Sequence, residues 1–171
     1  MNGAVNVRRT RRVRLVTDDA EAEADNAELH GAESDEPRTA KELAVQLVSS
    51  FGDPDAMVAL VADDVEWWIT PTVEVFPHHM VGRAMVADTM RFVFGQIYAD
   101  AQVTVHTAIG EGDTAAVRIT LRARALGSVD YENEYALFVQ ARNDRIVRVW
   151  EYVDMQHAMN QLTGGGPTGT G

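Results

Sequence analysis

The sequence predicts an α+β domain in which a curved antiparallel sheet wraps around its helices. Apolar residues recur at helical spacing in the first part of the chain, and the period changes to two after Asp100. Turn signals then separate the alternating segments, so that strands follow one another directly. The predicted order is helix, helix, strand, helix and four strands, with a short helix at the end.

Capping signals mark the start of the first two helices. Thr39 and Glu42 form a capping box that opens helix 1, which we predict over about 40–51. Asp53 is the predicted N-cap of helix 2, with Pro54 at its first position. Apolar residues at helical intervals predict helix 3 over 83–98.

Period-two patterns and turn signals place the strands. Strand 1 is predicted over 65–69, and the later strands cover 103–109, 115–125, 131–140 and 146–153. Residues 71–77 are predicted as a loop, 127–128 as a turn, and Asp154 as the cap of the last helix. His78 and His79 follow the loop. We interpret them as a pair on its rim, because adjacent histidines do not easily bind one metal.

Composition and charge indicate one domain with polar ends. Five arginines and no acid occur in 1–17, nine acids follow in 18–36, and 163–171 is rich in glycine. We predict a disordered tail over 1–38, a folded domain over 39–162 and a flexible tail over 163–171. A nucleic-acid or targeting patch is an alternative role for the arginines.

The same numbers argue against several classes of protein. The net charge of −11 is unfavourable for nucleic-acid binding, and no apolar run is long enough to predict a membrane span. The absence of cysteine excludes disulfides and thiolate chemistry. No apolar segment follows the arginines as in a secretory signal, so we expect a cytoplasmic protein.

The last strand carries one charged residue on an apolar face. Val149, Glu151 and Val153 point the same way in a strand, and only Glu151 is charged. A carboxylate is costly to bury unless it is paired or used. Glu151 is therefore a candidate general acid or base, and a simple ion pair is the alternative.

Three segments carry a family resemblance: FGDPDAMVALVADDVEWW, the Gly-Arg pair that opens helix 3, and DRIVRVWEYVD. They resemble the SnoaL-like branch of the nuclear transport factor 2-like superfamily, which includes ketosteroid isomerases, limonene epoxide hydrolases and scytalone dehydratases. The resemblance covers about 39–162. It implies a cone-shaped, cystatin-like fold around a mostly apolar pocket, a homodimer formed through the outer sheet surface, and no metal or organic cofactor.

The resemblance also implies roles for individual residues. The last-strand acid that acts as general acid/base in the polyketide cyclases corresponds to Glu151. The arginine of the epoxide hydrolases corresponds to Arg118, whereas their second acid falls on Thr120, and their first-strand tyrosine and asparagine fall on Trp67 and Ile69. We therefore expect Arg118 to face Glu151 across the pocket, where it would orient Glu151, bind a substrate oxyanion or form only a structural pair.

The remaining pocket wall is predicted to be apolar with a few polar groups. Its expected substrate-binding residues are Trp67, Ile69, Thr120, Asn133, Tyr135, Val149 and Val153. The same residues would serve equally as plain core. Trp68, Trp150, Ile119 and Leu121 are expected on the opposite face, against a second layer or a dimer partner.

The expected function is that of a cyclase, isomerase or dehydratase acting on an apolar carbonyl compound, with Glu151 transferring the proton. Two alternatives remain open. One is hydrolysis of an epoxide by water, which the residues at Thr120 and Trp67 disfavour. The other is a non-catalytic ligand-binding or dimerisation module, which the missing second acid favours.

Overall fold

The computed structural model describes residues 37–70, 77–126 and 129–163. The helices are α1 (Ala40–Ser49), α2 (Pro54–Leu60), α3 (Arg83–Phe92), which a π-helical turn (Val93–Ile97) extends, and α4 (Met155–Leu162). The strands are β1 (Val61–Ile69), β2 (His79–Val81), β3 (Tyr98–Glu111), β4 (Thr114–Ala125), β5 (Val129–Arg142) and β6 (Arg145–Val153). They form one sheet in the order β2-β1-β6-β5-β4-β3.

The predicted α+β fold is confirmed, and the sheet is mixed. Strand β1 pairs in parallel with β6, with Trp67 opposite Val149, while every other neighbouring pair is antiparallel. A hairpin forces two strands to run antiparallel. Strands β2 to β5 and helix α3 lie between β1 and β6 in the chain, so no turn constrains the direction of this pair.

The predicted helix starts are confirmed by their hydrogen bonds. The Thr39 hydroxyl accepts from the Glu42 amide at 3.2 Å, and the Thr39 amide donates to Glu42 Oε2 at 2.8 Å. Asp53 Oδ1 accepts from the Ala56 amide at 3.1 Å. Such bonds satisfy amides that have no partner within the first turn of a helix.

The structure differs from the sequence prediction most at β1, at the junction of α3 and β3, and in β2, a strand that the sequence did not predict. Strand β1 begins at Val61 instead of 65, and its pairing with β6 is irregular between Val61 and Glu66, which leaves Asp63 and Asp64 exposed. Helix α3 ends at Phe92, and after the π-helical turn Tyr98 already pairs with Ala125 as the first residue of β3. Residues 71–76 of the predicted loop, the turn at 127–128 and nearly all of both tails lie outside the described residues.

The two faces of the sheet differ in character. On β4 the inner face carries Val117, Ile119 and Leu121, all buried in the core that the helices cover. Arg118 lies between them in sequence and is exposed on the outer face. The expectation that Ile119 and Leu121 face outward is therefore wrong, because α1 packs on β3 and β4 and needs an apolar surface there. No helix in the described part of the chain is long and apolar enough to cross a membrane.

Candidate active site

Glu151 lies in the middle of the inner face, on β6 between β1 and β5. Its neighbours in register are Ile69 and Leu137. At the end of β1, the Thr70 amide and hydroxyl both donate to the Glu151 carbonyl oxygen, at 3.1 Å and 3.2 Å. Backbone contacts on both sides thus fix the position from which the side chain extends.

In the described part of the chain, the Glu151 carboxyl group has mostly apolar neighbours and one hydrogen-bond donor. The Trp67 indole N–H donates to Glu151 Oε2 at 2.9 Å, and Trp67 itself has no exposed surface. Burial raises the pKa of Glu151 to about 7, although the bond from Trp67 acts in the opposite direction. Among the described residues no cation pairs with Glu151. Its carboxyl group can therefore exchange a proton near neutral pH.

Two small adjoining cavities open on either side of Glu151. One, of about 80 Å³, lies beneath α4, and the other, of about 50 Å³, lies beneath α3 and the π-helical turn. Both are bordered by Ile69, Val93, Tyr98, Tyr135 and Glu151. The remaining lining is almost entirely apolar, so a bound molecule would meet a few polar groups in hydrophobic surroundings.

A cluster of three tyrosine hydroxyls is the second polar feature of this region. Tyr131 Oη and Tyr135 Oη are 2.7 Å apart, and the Tyr98 hydroxyl is hydrogen-bonded to this pair. Burial, together with the nearby tyrosines and the charge of Glu151, raises the pKa of Tyr98 and Tyr135 above the ordinary value. The hydroxyls therefore keep their protons and act as hydrogen-bond donors at neutral pH. We call Tyr98, Tyr131 and Tyr135 the tyrosine cluster.

Most predicted pocket residues share the inner face with Glu151. Trp67, Ile69, Tyr135 and Val153 border the cavities. Val149 is fully buried below them. Asn133 is also buried and reaches the tyrosine cluster from behind, with its amide nitrogen 3.3 Å from Tyr131 Oη.

Arg118 does not meet Glu151. It lies on the outer face, where its Nη1 is 3.3 Å from Glu134 Oε1 and both side chains are largely exposed. The expected contact fails because successive residues of a strand face opposite sides, and β4 presents Val117, Ile119 and Leu121 inward. The role expected for Arg118 beside Glu151 is withdrawn.

Thr120, like Arg118, lies on the outer side of the sheet. Its hydroxyl lies 2.7 Å from His106 Nε2, in the irregular part of the β3–β4 pairing. The structure thus separates Arg118 and Thr120 from the other predicted site residues. His79 belongs to β2, where its Nε2 lies 3.0 Å from Glu66 Oε2. The described residues contain no group of three or more potential ligands that could hold a metal ion.

Sequence reasoning missed Tyr98, Tyr131 and the inner side of α4. Tyr131 shares the alternation of Asn133 and Tyr135, so the period-two pattern could have placed it on the inner face. Tyr98 gave no such signal, since helical spacing continues through the π-helical turn that precedes it. Met155, Met159 and Leu162 of α4 close the larger cavity.

Comparison with protein families identifies the domain. The model described as the SnoaL-like domain matches residues 45–149, more than half of the chain. The chain belongs to the SnoaL-like domain family. Within it, the matched region includes every strand of the site except the end of β6 that carries Glu151. A comparison with curated proteins finds no match.

Solved structures share the fold of this SnoaL-like domain at low sequence identity. A Catenulispora acidiphila protein with a ketosteroid isomerase-like fold, in complex with trimethylamine, is 17% identical over 73% of this chain and 95% of its own, with a TM-score of 0.62. An LEH-like epoxide hydrolase from M. tuberculosis is 16% identical over 74% and 90%, with a TM-score of 0.60. A protein proposed to be a polyketide cyclase, from Pseudomonas putida, is 21% identical over 72% and 98%, with a TM-score of 0.59. These likenesses establish the fold alone.

Proposed function

We propose that this SnoaL-like domain is an enzyme that moves a proton on an apolar carbonyl compound, as a cyclase, isomerase or dehydratase does. Glu151 is the general acid/base. The observation that carries the proposal is a carboxyl group that faces an apolar cavity beside three tyrosine hydroxyls and has no cationic partner among the described residues. Burial raises its pKa to about 7. A base is most effective when its pKa lies near the working pH.

The first half of the proposed reaction is removal of a proton from the carbon next to the carbonyl group. The C–H bond breaks, Glu151 takes the proton, and the electron pair forms a C=C bond while negative charge moves to the carbonyl oxygen. In an isomerase, Glu151 then returns the proton to a different carbon, where the electron pair forms the new C–H bond as the carbonyl group forms again. In a dehydratase, the C–O bond to a leaving hydroxyl group breaks as the electron pair forms the C=C bond of the product, and Glu151 gives the proton to the leaving oxygen. In a cyclase, the enolate carbon forms a C–C bond to a second carbonyl carbon, and Glu151 gives the proton to the oxygen of that carbonyl group. The proton balance closes on this one residue, because it is both acceptor and donor.

The tyrosine cluster is positioned to stabilise the negative oxygen. Tyr98 and Tyr135 border both cavities with Glu151, and their hydroxyls stay protonated because burial raises their pKa. A donor held in place at the developing charge lowers the barrier more than water does, because it needs no reorientation. The tyrosines thus take the oxyanion role, which was one of the three roles expected for Arg118.

The test is turnover of a panel of apolar ketones, polyketide-like esters and epoxides. Glu151→Gln removes the acid/base and keeps the side-chain volume, and we expect a loss of roughly 10²–10⁴-fold in kcat. Glu134→Gln is the matched control, because Glu134 lies on the outer face of the neighbouring strand beside Arg118. Equal turnover by wild type and Glu151→Gln would refute the proposal.

Epoxide hydrolysis has weaker support. It needs a water molecule activated jointly by acids and an arginine, and Arg118 and Thr120 lie on the other side of the sheet from Glu151. In the described residues Glu151 is the one carboxylate that borders the two cavities. The epoxides in the panel therefore serve to detect an outcome we do not expect.

Non-catalytic binding of a small organic cation is a second candidate. The larger cavity is bordered by Glu151 and by aromatic rings, and the described residues of its lining include no lysine, arginine or histidine. A structural neighbour holds trimethylamine. Carboxylates and aromatic faces both attract ammonium groups. Tight binding of trimethylammonium, lost in Glu151→Gln and unaccompanied by turnover of any panel member, would favour this function over the enzyme.

We also propose that two copies pair through the outer face of the sheet. Trp68 is opposite both His79 and Trp150, and Phe138 is opposite Trp150, so four rings form a row across β2, β1, β6 and β5. Phe138 is 49% exposed, and apolar surface of this kind is commonly covered by a partner. A two-fold axis would place the row against itself.

Solution mass tests this pairing. We expect wild type to have twice the monomer mass and Phe138→Arg to have the monomer mass, measured by size exclusion with light scattering. Phe92→Arg is the control, because Phe92 is equally exposed, at 49%, on the helical side. A monomeric wild type would refute the pairing without affecting the proposed chemistry.

A further inference from the structure

The side chain of Asn133 is held in one orientation by the backbone. Its Oδ1 accepts from the Glu134 amide at 2.8 Å, and its Nδ2 donates to the Asp154 carbonyl at 2.8 Å. A rotated amide would place oxygen against the Asp154 oxygen and nitrogen against the Glu134 N–H, so only the observed orientation satisfies both contacts. The second N–H of Nδ2 therefore points to Tyr131 Oη, at 3.3 Å.

This orientation has a consequence for the protons of the tyrosine cluster. Asn133 gives a hydrogen bond to the cluster and takes none from it. The three hydroxyl groups contact one another pairwise, but two hydrogen bonds are enough to join them, and the three tyrosines carry three protons. One proton is thus available to turn towards the cavities when negative charge develops there. Glu151 does not consume it, because the hydrogen bond to its carboxyl group comes from Trp67.

We propose that Asn133 is a positioning residue that keeps one proton of the tyrosine cluster available for the substrate oxygen. Asn133 is itself buried and borders neither cavity, so it acts without touching the substrate. The inference rests on the proposed function, since it concerns the donors for the oxyanion. It adds a residue whose hydrogen-bond polarity decides whether those donors can act.

The Asn133→Asp variant replaces the hydrogen-bond donor that faces Tyr131 by an acceptor, with almost no change in shape. If the new side chain is neutral, its single O–H is used by the Asp154 carbonyl, and only oxygen lone pairs face Tyr131. If it is ionised, it also presents only lone pairs. In either state Tyr131 must donate to it, and the two protons that remain are both needed to hold the cluster together.

Removing the Tyr131 hydroxyl makes one tyrosine proton available to the cavities again. In Asn133→Asp combined with Tyr131→Phe, no tyrosine proton is drawn away from the site. One proton links Tyr98 and Tyr135, and the other is again available to the cavities. A purely structural role for Asn133, or repulsion by a new negative charge, would instead make the double variant as weak as Asn133→Asp or weaker.

The experiment measures binding of 4-nitrophenol, whose ionised form absorbs at a different wavelength from the neutral form. All variants carry Glu151→Gln, so that the phenolate oxygen meets no carboxylate at that position. We expect bound probe to be largely ionised in this background, at least about tenfold weaker phenolate binding after adding Asn133→Asp, and recovery of most of that loss after also adding Tyr131→Phe. Nitrobenzene, which lacks the hydroxyl, is expected to bind all three alike.

Each outcome separates the inference from the proposed function. No phenolate binding in the Glu151→Gln background would contradict the oxyanion role of the tyrosine cluster and hence the proposed function. Strong phenolate binding that Asn133→Asp leaves unchanged, or that Tyr131→Phe fails to recover, would overturn only the role of Asn133. Urea unfolding of each variant shows whether the compared proteins are folded. If Asn133→Asp is not, Asn133→Leu takes its place. Leucine accepts no proton from Tyr131, so we expect phenolate binding to stay close to that of the Glu151→Gln parent, and a loss of about tenfold would overturn the role of Asn133.

Discussion

Glutamates on the two faces of the sheet lie in opposite environments. On the outer face Glu134 and Glu132 are exposed and paired with Arg118 and Arg122 on the neighbouring strand. On the inner face Glu151 has no cationic partner among the described residues, and burial raises its pKa to about 7. An exposed pair contributes little energy and no chemistry, whereas an enclosed single carboxyl group becomes a proton carrier near neutral pH.

The raised pKa of Glu151 also makes the stability of the fold depend on pH. A carboxyl group whose pKa is higher in the folded state than in the unfolded state favours folding while it is neutral. Its contribution is fully present below the unfolded pKa and is lost as the pH rises through the folded pKa. The pH range in which Glu151 can accept a proton is therefore the range in which it stabilises the fold least.

The largest expected effect is this dependence of stability on pH. For Glu151 the shift runs from 4.5 to about 7, so wild type should lose about 3 kcal/mol relative to Glu151→Gln between those pH values. Urea unfolding of both proteins at a series of pH values measures the difference. A constant difference would mean that Glu151 is solvated like the acids of the outer face.

A second, smaller effect concerns the donor that holds Glu151. Trp67→Phe removes the indole N–H that lies 2.9 Å from Glu151 Oε2, and we expect a destabilisation of about 2 kcal/mol, greater when Glu151 is ionised. The pKa of Glu151 should also move further above about 7, because the bond from Trp67 favours the ionised form. The pH at which turnover is half-maximal reports that direction.

A third prediction concerns a variant in which Glu151 has an arginine on the neighbouring strand, as the glutamates of the outer face do. Ile69 is the register partner of Glu151 and borders both cavities, so Ile69→Arg places a cation beside the carboxyl group. The pKa of Glu151 should fall, and turnover should drop by about tenfold because the base becomes weaker. Ile69→Met is the control for volume. Unchanged pH dependence in Ile69→Arg would contradict the electrostatic argument.

The smallest effect is expected on the outer face itself. Arg118→Ala removes one partner of an exposed pair in which the side chains are 52% and 64% exposed, and we expect a change in unfolding free energy below about 0.5 kcal/mol. Turnover should match that of wild type. A large loss of turnover would restore the role for Arg118 that the sequence suggested.

The fold and one half of the site were predictable because they depend on local patterns. Alternation alone placed Glu151 with Val149 and Val153, and capping residues located the helix starts. The same alternation would have turned Val117, Ile119 and Leu121 inward on β4. Matching Arg118 to the arginine of a distant relative instead placed Arg118 on the inner face. That placement was wrong, because Arg118 alternates with the inward-facing residues and lies on the outer face.

The tyrosine cluster depends on features that the sequence does not display. Tyr98 joins it because α3 passes through a π-helical turn into β3, and the apolar spacing of the chain does not change at that point. The 2.7 Å contact between the Tyr131 and Tyr135 hydroxyls joins residues four positions apart on one strand. Strand spacing puts such residues well apart, and only the course of β5 in the folded sheet brings their hydroxyls together.

The most direct test of the central claim is an NMR titration of the glutamate carboxyl carbons. Glu151→Gln assigns the signal. We predict that the Glu151 carboxyl group titrates with a pKa of about 7, well above the ordinary value of 4.5 for a glutamate. Titration of Glu151 at the ordinary glutamate value would contradict this, because its surroundings would then have no effect on the proton that it is proposed to transfer.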